Sequence, residues 1–456
     1  MDFDCEKLAR DLGGELAGPG ASVAGRSGAA PVVSGLSIDS RTLLGGQLFA
    51  AVSDERDGHE FVRSARDAGA GAVLVDHGVD DGWAIVVRDV PEALVRIARI
   101  ARRRLPDFVV GVTGSVGKTT TKDLLGAVLS QRLSTATSEK SFNNELGVPI
   151  TLANAPADTE AVVVEMGARG HGHISQLCSM AQPTVGVVTA VQAVHTQHMG
   201  TEDQIAVAKR ELIESLPPNG LAVLNAADPR VAAMAGHTRA SVLTFAVSEP
   251  TSAPSADVIA TNMRIDDELH PSFTLESPWG SVDVTLAARG LHNVGNALAA
   301  ATVGLHAELT HAEVAAGLAE PIPSPWRMEL SRGPSGVVVL NDSYNAGPAS
   351  MAAALKSLAA LPAGHRVAVL GTMAELGDRE ASEHAAVAAL AAQLGIEVLA
   401  VGTDLYGAEP LTDPEAAVSA LESAGHNMEG TAVLVKGSRV VGLERVAHAL
   451  TTEEGS

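Results

Sequence analysis

The sequence predicts an α/β protein of three domains, in which a central P-loop ATPase-type parallel sheet is flanked by an N-terminal small α/β domain and a C-terminal Rossmann-like α/β domain. The chain has 456 residues, enough for about three domains of ordinary size. From Phe108 to about Leu318 short apolar runs alternate with helical stretches, the pattern of a largely parallel sheet covered by helices. The proline-rich stretch EPIPSPWR then reads as a linker to a second such series. The expected boundaries are 1–107, 108–320 and 321–456.

In the first region Leu8 to Leu12 lies on an opening helix, and apolar runs follow at Val32–Ile38, Gln47–Val52, Ala72–Val75 and Ala84–Val87. Ser37, Asp39, Ser40 and Arg41 come directly after one of these runs, and Asp57-Gly58-His59 precedes a helix. Ligands of α/β sheets sit at the carboxyl ends of strands, so both loops are candidate binding surfaces, although DSR and DGH are equally ordinary turn and helix-capping sequences.

The second region opens with FVVGVTGSVGKTTTKD, from Phe108 to Asp123. Phe108–Val112 reads as a buried strand, Gly111, Gly114 and Gly117 as a tight loop, and Thr119 onward as a helix with Leu124, Leu125, Val128 and Leu129 on one face. Backbone N–H groups around Gly114, Ser115 and Gly117 converge on an anion. Lys118 reaches outer phosphates, Thr119 offers a hydroxyl to Mg²⁺, and Thr120 continues the first turn. Val112 stands where the strict P-loop pattern has glycine, so this is a G-x-x-G-x-x-G-K-T variant, with ATP the leading ligand. Further runs at Ala161–Val164, Val185–Val191, Leu221–Leu224 and Val242–Phe245 supply the remaining strands.

Three polar groups in this region fall at informative places. Glu165 closes a strand, where a nucleotide-bound Mg²⁺ finds its protein ligand; read alone it is as readily a neighbour of a helix cap. His195 follows a strand, as a polar loop residue also does. Lys209 lies on the helix EDQIAVAKRELIESL, where an exposed lysine paired with Glu202 or Glu211 is the ordinary reading. Later, His292, Asn293 and Asn296 head an Ala-rich helix whose N-terminus displays amides suited to a purine edge.

In the third region strands at Gly336–Leu340, Val367–Leu370, Val398–Val401 and Ala432–Val435 end in polar clusters, the last in Lys436-Gly437-Ser438-Arg439. That register implies an open α/β sheet with a site along its carboxyl edge.

Composition narrows the function. The net charge is −22, from 54 acidic against 32 basic residues, which argues against nucleic acid or an anionic membrane surface as partner. Arg102–Arg104 forms the only basic run and is expected at an exposed helix end. Cys5 and Cys178 share no metal or redox spacing and are expected as buried thiols in a reducing compartment. The N-terminus lacks a signal-peptide pattern, and no apolar run approaches the roughly 18 residues of a membrane span, so a cytoplasmic protein without membrane insertion is expected.

In order along nearly the whole chain stand DSR with DGHEF, GVTGSVGKTTTKD, SFNNELGVP, VEMGARGHGHI, VH at 194–195, GLHNVGNALAA, RME, NDSYNAGPASM, LGTMAELG and VKGSR. Together they resemble the Mur ligases of peptidoglycan synthesis. The resemblance implies ATP-dependent amide bond formation: a UDP-muramoyl peptide carboxylate is phosphorylated to an acyl phosphate, which the amine of D-alanyl-D-alanine attacks. It further implies that Lys118 and Thr119 hold phosphates and Mg²⁺, that Glu165 and His195 bind metal, and that Lys209 carries a carbamate (N6-carboxylysine) binding the second of two Mg²⁺ ions. Asn293 and Asn296 are implied to face the adenine, and Arg327 and Asp342 to contact the nucleotide from the third domain. Ser37, Asp39, Ser40 and Arg41 are implied near the uridine diphosphate, Asn143 and Asn144 at the muramoyl peptide, and Asn345 near the incoming dipeptide. A monomer is expected.

The chain departs from the family pattern at Val116, Ala190, Gly347 and Thr372, none of which removes a phosphate-binding or metal-binding group. The alternatives are another Mur-type or folylpolyglutamate-type ligase with a different amine, and a catalytically weak P-loop regulatory paralogue. The absence of DNPR and the presence of NDSYNAGP argue against the first. Separate candidate groups for metal, adenine and ribose argue against the second.

Overall fold

The structure is a computed structural model that describes residues 1–18, 30–53, 56–79, 82–139, 141–193, 196–247 and 255–452. It is an α/β fold in which three mixed, mainly parallel sheets follow one another along the chain.

The first sheet has the strand order Glu15–Ala17, Ala84–Val86, Ala72–Val75, Leu48–Ala50, Leu36–Ser37, parallel except at its first pairing. The opening helix, Cys5–Leu12, starts where the Asp4 side chain accepts from Lys7 N and stops at Gly13 in the left-handed region. Cys5, Leu8 and Leu12 are buried on its inner face, so Cys5 is packing material, as Cys178 is in the second region. Asn154 fixes this sheet to the next: its side chain accepts from Leu36 N at 2.7 Å and donates to Leu36 O at 2.9 Å.

The central sheet joins nine strands among the described residues. From the strand Thr135–Thr137 the order runs Ala161–Glu165, Val109–Thr113, Val185–Val188, Leu221–Asn225, Ser241–Val247 and Val258–Ile265, all parallel. Both faces are buried, and successive residues serve opposite cores. Val110, Val112, Val163 and Val187 pack with the helices Lys118–Leu129 and Asn293–His306, while Val109, Val162, Val164 and Val188 join the core on the other side. Leu124, Leu125, Val128 and Leu129 are fully buried on the face the sequence indicated.

Strand and helix do not alternate all the way to Leu318. The strands Val258–Ile265, Pro271–Ser277 and Gly280–Thr285 form an antiparallel meander at the sheet edge. Val258, Ala260, Phe273, Leu275 and Val284 turn inward while polar residues between them face solvent, a half-buried pattern that antiparallel strands tolerate. The basic run also differs from expectation. Arg102 is 6% exposed and donates to the carbonyls of Ala181, Leu105, Pro106 and Gln182, tying the helix Val90–Arg102 to the central domain.

The third sheet has the order Glu329–Arg332, Val338–Asn341, Thr431–Lys436, His365–Gly371, Glu397–Val401, and is parallel apart from its first, antiparallel edge pairing. Among the described residues no helix is long and apolar enough to cross a membrane.

Candidate active site in the cleft between the second and third sheets

A cavity of about 660 Å³ lies where the carboxyl ends of the second and third sheets face each other. Its wall includes Gly114, Ser115, Gly117, Lys118, Thr119, Thr120, Asn143, Asn144, Glu165, Lys209, Asn293, Asn296, Arg327, Asp342 and Asn345. Residues from separate strand ends and two sheets thus meet at one place.

The P-loop turns sharply from its strand into the helix Lys118–Leu129. Gly114 and Gly117 have φ of 149° and 82°, and a Cβ would strike the Thr189 side chain at Gly114 and the Asn296 amide at Gly117, so both positions require glycine. Lys118 Nζ donates to Gly114 O at 2.8 Å, which curls the ammonium back over the loop. Burial lowers its pKa below the usual lysine value, assisted by Arg327 and opposed by Glu165.

Glu165 ends the strand beside the P-loop and is 1% exposed. Asn143 Nδ2 donates to its Oε1 at 2.8 Å, whereas its Oε2 is buried with no hydrogen-bond partner among the described residues. A buried carboxylate oxygen without a donor is costly unless a cation completes it, and its hard oxygen, on the wall of the cavity that Thr119 also lines, is of the kind a divalent ion such as Mg²⁺ takes.

Lys209 is not the exposed lysine of the ordinary reading. It is 2% exposed on the helix Glu202–Glu214, and its pKa is pushed down to about 7, first by burial, then by Lys118, with Glu211 opposing. Glu211 is turned elsewhere, accepting from Gly172 N and Ser175 N. His195 lies outside the described residues.

On the opposite wall Asn296 donates to Asn293 Oδ1, and Asn293 donates to Arg289 O, so these amides form a chain along the head of their helix. Arg327 crosses from the third domain, donating to Thr119 Oγ1 at 2.9 Å and stacking on Tyr344 at 4.2 Å. The Tyr344 hydroxyl bonds to Ser141 Oγ. Asp342 pairs with Lys436, whose Nζ lies 2.5 Å from Oδ2 and also donates to Asn345 O at 2.9 Å. Lys436 and Tyr344 were not selected from the sequence, although both sit in polar clusters after strands. Their signal was the strand-end position itself.

Ser37, Asp39, Ser40 and Arg41 do not line this cleft. Asp39 grips Arg41 Nε and Nη2 at 2.9 and 2.7 Å, and Asp39 N donates to Ser37 Oγ, making a self-bonded turn after the Leu36–Ser37 strand. His59 is likewise tied locally, its Nδ1 lying 2.7 Å from Asp57 Oδ1.

Residues 112–304 match the Mur ligase middle domain and residues 326–439 the Mur ligase glutamate ligase domain. The chain is 35% identical over 436 residues to the UDP-N-acetylmuramoyl-tripeptide–D-alanyl-D-alanine ligase of Escherichia coli strain K12, covering 93% of this chain and 95% of that protein. To the ligase of the same name from Mycobacterium tuberculosis strain H37Rv it is 35% identical over 483 residues, with 93% of each covered. In structure it is similar to MurF from Acinetobacter baumannii, with TM-score 0.85, 27% identity and 99% of each chain covered. It is also similar to MurF ligase from Thermotoga maritima in complex with ADP, with TM-score 0.76, 26% identity, and 92% of this chain and 97% of that one covered.

Proposed function

The chain belongs to the Mur ligase family, and from that premise we propose how its cleft performs the reaction of an ATP-dependent, ADP-forming ligase that adds D-alanyl-D-alanine to UDP-MurNAc-tripeptide in peptidoglycan synthesis. The observation that carries the proposal is the meeting of Lys118, Thr119, Glu165 and Arg327 in one cavity, with one Glu165 oxygen buried and without a partner among the described residues.

Nucleotide phosphates lie on the backbone amides of Gly114, Ser115 and Gly117, with Lys118 on the outer phosphate oxygens and Thr120 in the first helical turn. Arg327 approaches the same phosphates from the third domain, Asp342 takes the ribose, and Asn293 and Asn296 face the adenine. Thr119, Glu165, His195 and a carbamylated Lys209 hold Mg²⁺, two ions in all, which when bound screen the repulsion between the γ-phosphate and the peptide carboxylate. Carbamylation joins the neutral Lys209 nitrogen to the carbon of CO₂ and releases a proton, turning a non-ligating amine into an anionic oxygen donor. A lysine with a pKa near 7 in this wall is suited to that step because a large share of it is neutral at physiological pH.

Asn143 and Asn144 face the muramoyl peptide, Ser37 to Arg41 the uridine diphosphate end, and Asn345 the incoming dipeptide. In this reading the three functional units are residues 1–107, 108–320 and 321–456, working as a cytoplasmic monomer. Their closure excludes water from the acyl phosphate, whose attack by the dipeptide amine yields the amide and phosphate.

The test is ADP release and product mass with UDP-muramoyl peptides differing in their third residue, each offered D-alanyl-D-alanine or other amines. ADP release and product with D-alanyl-D-alanine are expected. Turnover with a different amine alone, or ADP release without a peptide product, overturns the reading.

A further inference from the structure

The third sheet carries another cluster of metal-competent side chains on the edge away from the cleft. His365 is the first residue of the strand His365–Gly371, and Glu397 is the first of Glu397–Val401. His426 lies between the helix Pro414–Ser423 and the strand Thr431–Lys436. These strands run parallel, so their first residues share the amino edge, whereas Asp342, Asn345 and Lys436 stand at carboxyl ends.

The two imidazoles converge on one atom. Nε2 of His365 is 3.2 Å and Nε2 of His426 is 3.1 Å from Glu397 Oε2. Their rings stack with centroids 4.2 Å apart and 29° between planes, so both nitrogens point the same way. The three donor atoms lie within 4.8 Å of one another. Zinc bonds of about 2.0–2.1 Å at a tetrahedral angle set neighbouring donors about 3.3 Å apart. Without an ion the His365–Glu397 contact is a hydrogen bond; the second group, His59, Asp76 and His77, is drawn tighter on one side, with His77 Nδ1 2.6 Å from Asp76 Oδ1 and His59 Nε2 3.4 Å from the same oxygen.

We propose that His365, Glu397 and His426 bind one divalent transition-metal ion of the zinc class, separate from the nucleotide cleft. Two neutral imidazoles and a carboxylate are a borderline donor set that favours Zn²⁺ over Mg²⁺. Side-chain exposures of 43%, 44% and 17% leave the ion reachable and a fourth position for water. Bound there, the ion fastens the starts of two strands to the turn that precedes a third. This role is independent of the ligase chemistry.

The experiment uses the full chain without an affinity tag, stripped by chelator and held in excess Mg²⁺, titrated with Co²⁺ and then Zn²⁺. The wild type is expected to show visible d–d bands of a tetrahedral site saturating at one equivalent, displaced by Zn²⁺, with a rise in melting temperature. His426→Ala and Glu397→Gln are expected to lose the bands and the Zn²⁺-dependent rise while melting like wild type in chelator and releasing ADP normally. Absence of tetrahedral bands in the wild type, or their retention in both variants, overturns the proposal. The wild-type titration decides the matter even where a variant fails to fold.

Discussion

Arg327 Nη2 donates to Thr119 Oγ1 at 2.9 Å, joining residues 208 positions apart and fastening the third domain to the P-loop helix. The contact is braced from behind, because the guanidinium stacks on Tyr344, which bonds across the cleft to Ser141. Trp326 and Met328, on either side, hold left-handed φ of 59° and 53°, a conformation that costs non-glycine residues about 1 kcal/mol or more each and persists only where surrounding contacts enforce it.

Arg327→Ala removes the hydrogen bond and the stacking together. The radius of gyration by small-angle scattering is expected to rise without nucleotide, and ADP release to fall on the order of a hundredfold. A variant as compact and as active as wild type would show that this clasp is incidental.

Lys118→Ala is expected to abolish ATP turnover while shifting the melting temperature little. The ammonium rests on its own loop carbonyls, so the side chain contributes charge neutralisation and little packing. The measurements are ADP release and thermal melting, and turnover like wild type removes Lys118 from the phosphate site.

Glu165→Gln keeps a group at the Asn143 contact but deletes the negative charge. The Mg²⁺ concentration for half-maximal activity is expected to rise at least about tenfold. Without metal the variant should be at least as stable as wild type, because a buried charge with one oxygen lacking a donor among the described residues is gone. An unchanged Mg²⁺ requirement counts against metal binding at this residue.

Lys209 gives stability a pH slope of known sign. Its pKa falls from 10.5 to about 7 on folding, so between pH 7 and 10.5 the unfolded chain binds more protons than the folded one. Stability in bicarbonate-free buffer should therefore rise through that window by at most about 1.4 kcal/mol per pH unit from this group. Urea denaturation of Lys209→Met across the window should show that portion of the slope removed; an identical slope would mean the amine is not desolvated.

Lys209→Ala should lose activity and regain part of it with acetate, which supplies the carboxylate oxygens of the missing carbamate. Full activity of the variant without bicarbonate or acetate would leave Lys209 no role in metal binding.

The sequence by itself determined the local devices. Gly114 and Gly117 specify the loop because no other residue fits their φ and neighbours, and Leu124, Leu125, Val128 and Leu129 specify the buried face by helical spacing. Strand ends followed by polar clusters singled out Glu165 and the clusters of the third sheet, within which the resemblance to the Mur ligases implied Asp342 and Asn345; in parallel sheets those ends lie on one edge. Only the tertiary structure decided burial and pairing. Nothing in AVAKREL distinguishes a surface lysine from Lys209, 2% exposed against the P-loop, because its desolvation comes from strands and loops distant in sequence. Arg102 belonged to an apparently solvated basic run until four carbonyls outside its helix claimed its guanidinium. Lys436 was visible as a charge after a strand, but its hold on Asp342 and Asn345 depends on neighbouring strands 90 or more positions apart in the chain. Periodicity records which face of an element is apolar; which charge lies beneath another element, and which partner meets it there, is fixed when sheets separated by long stretches of chain close on one cleft.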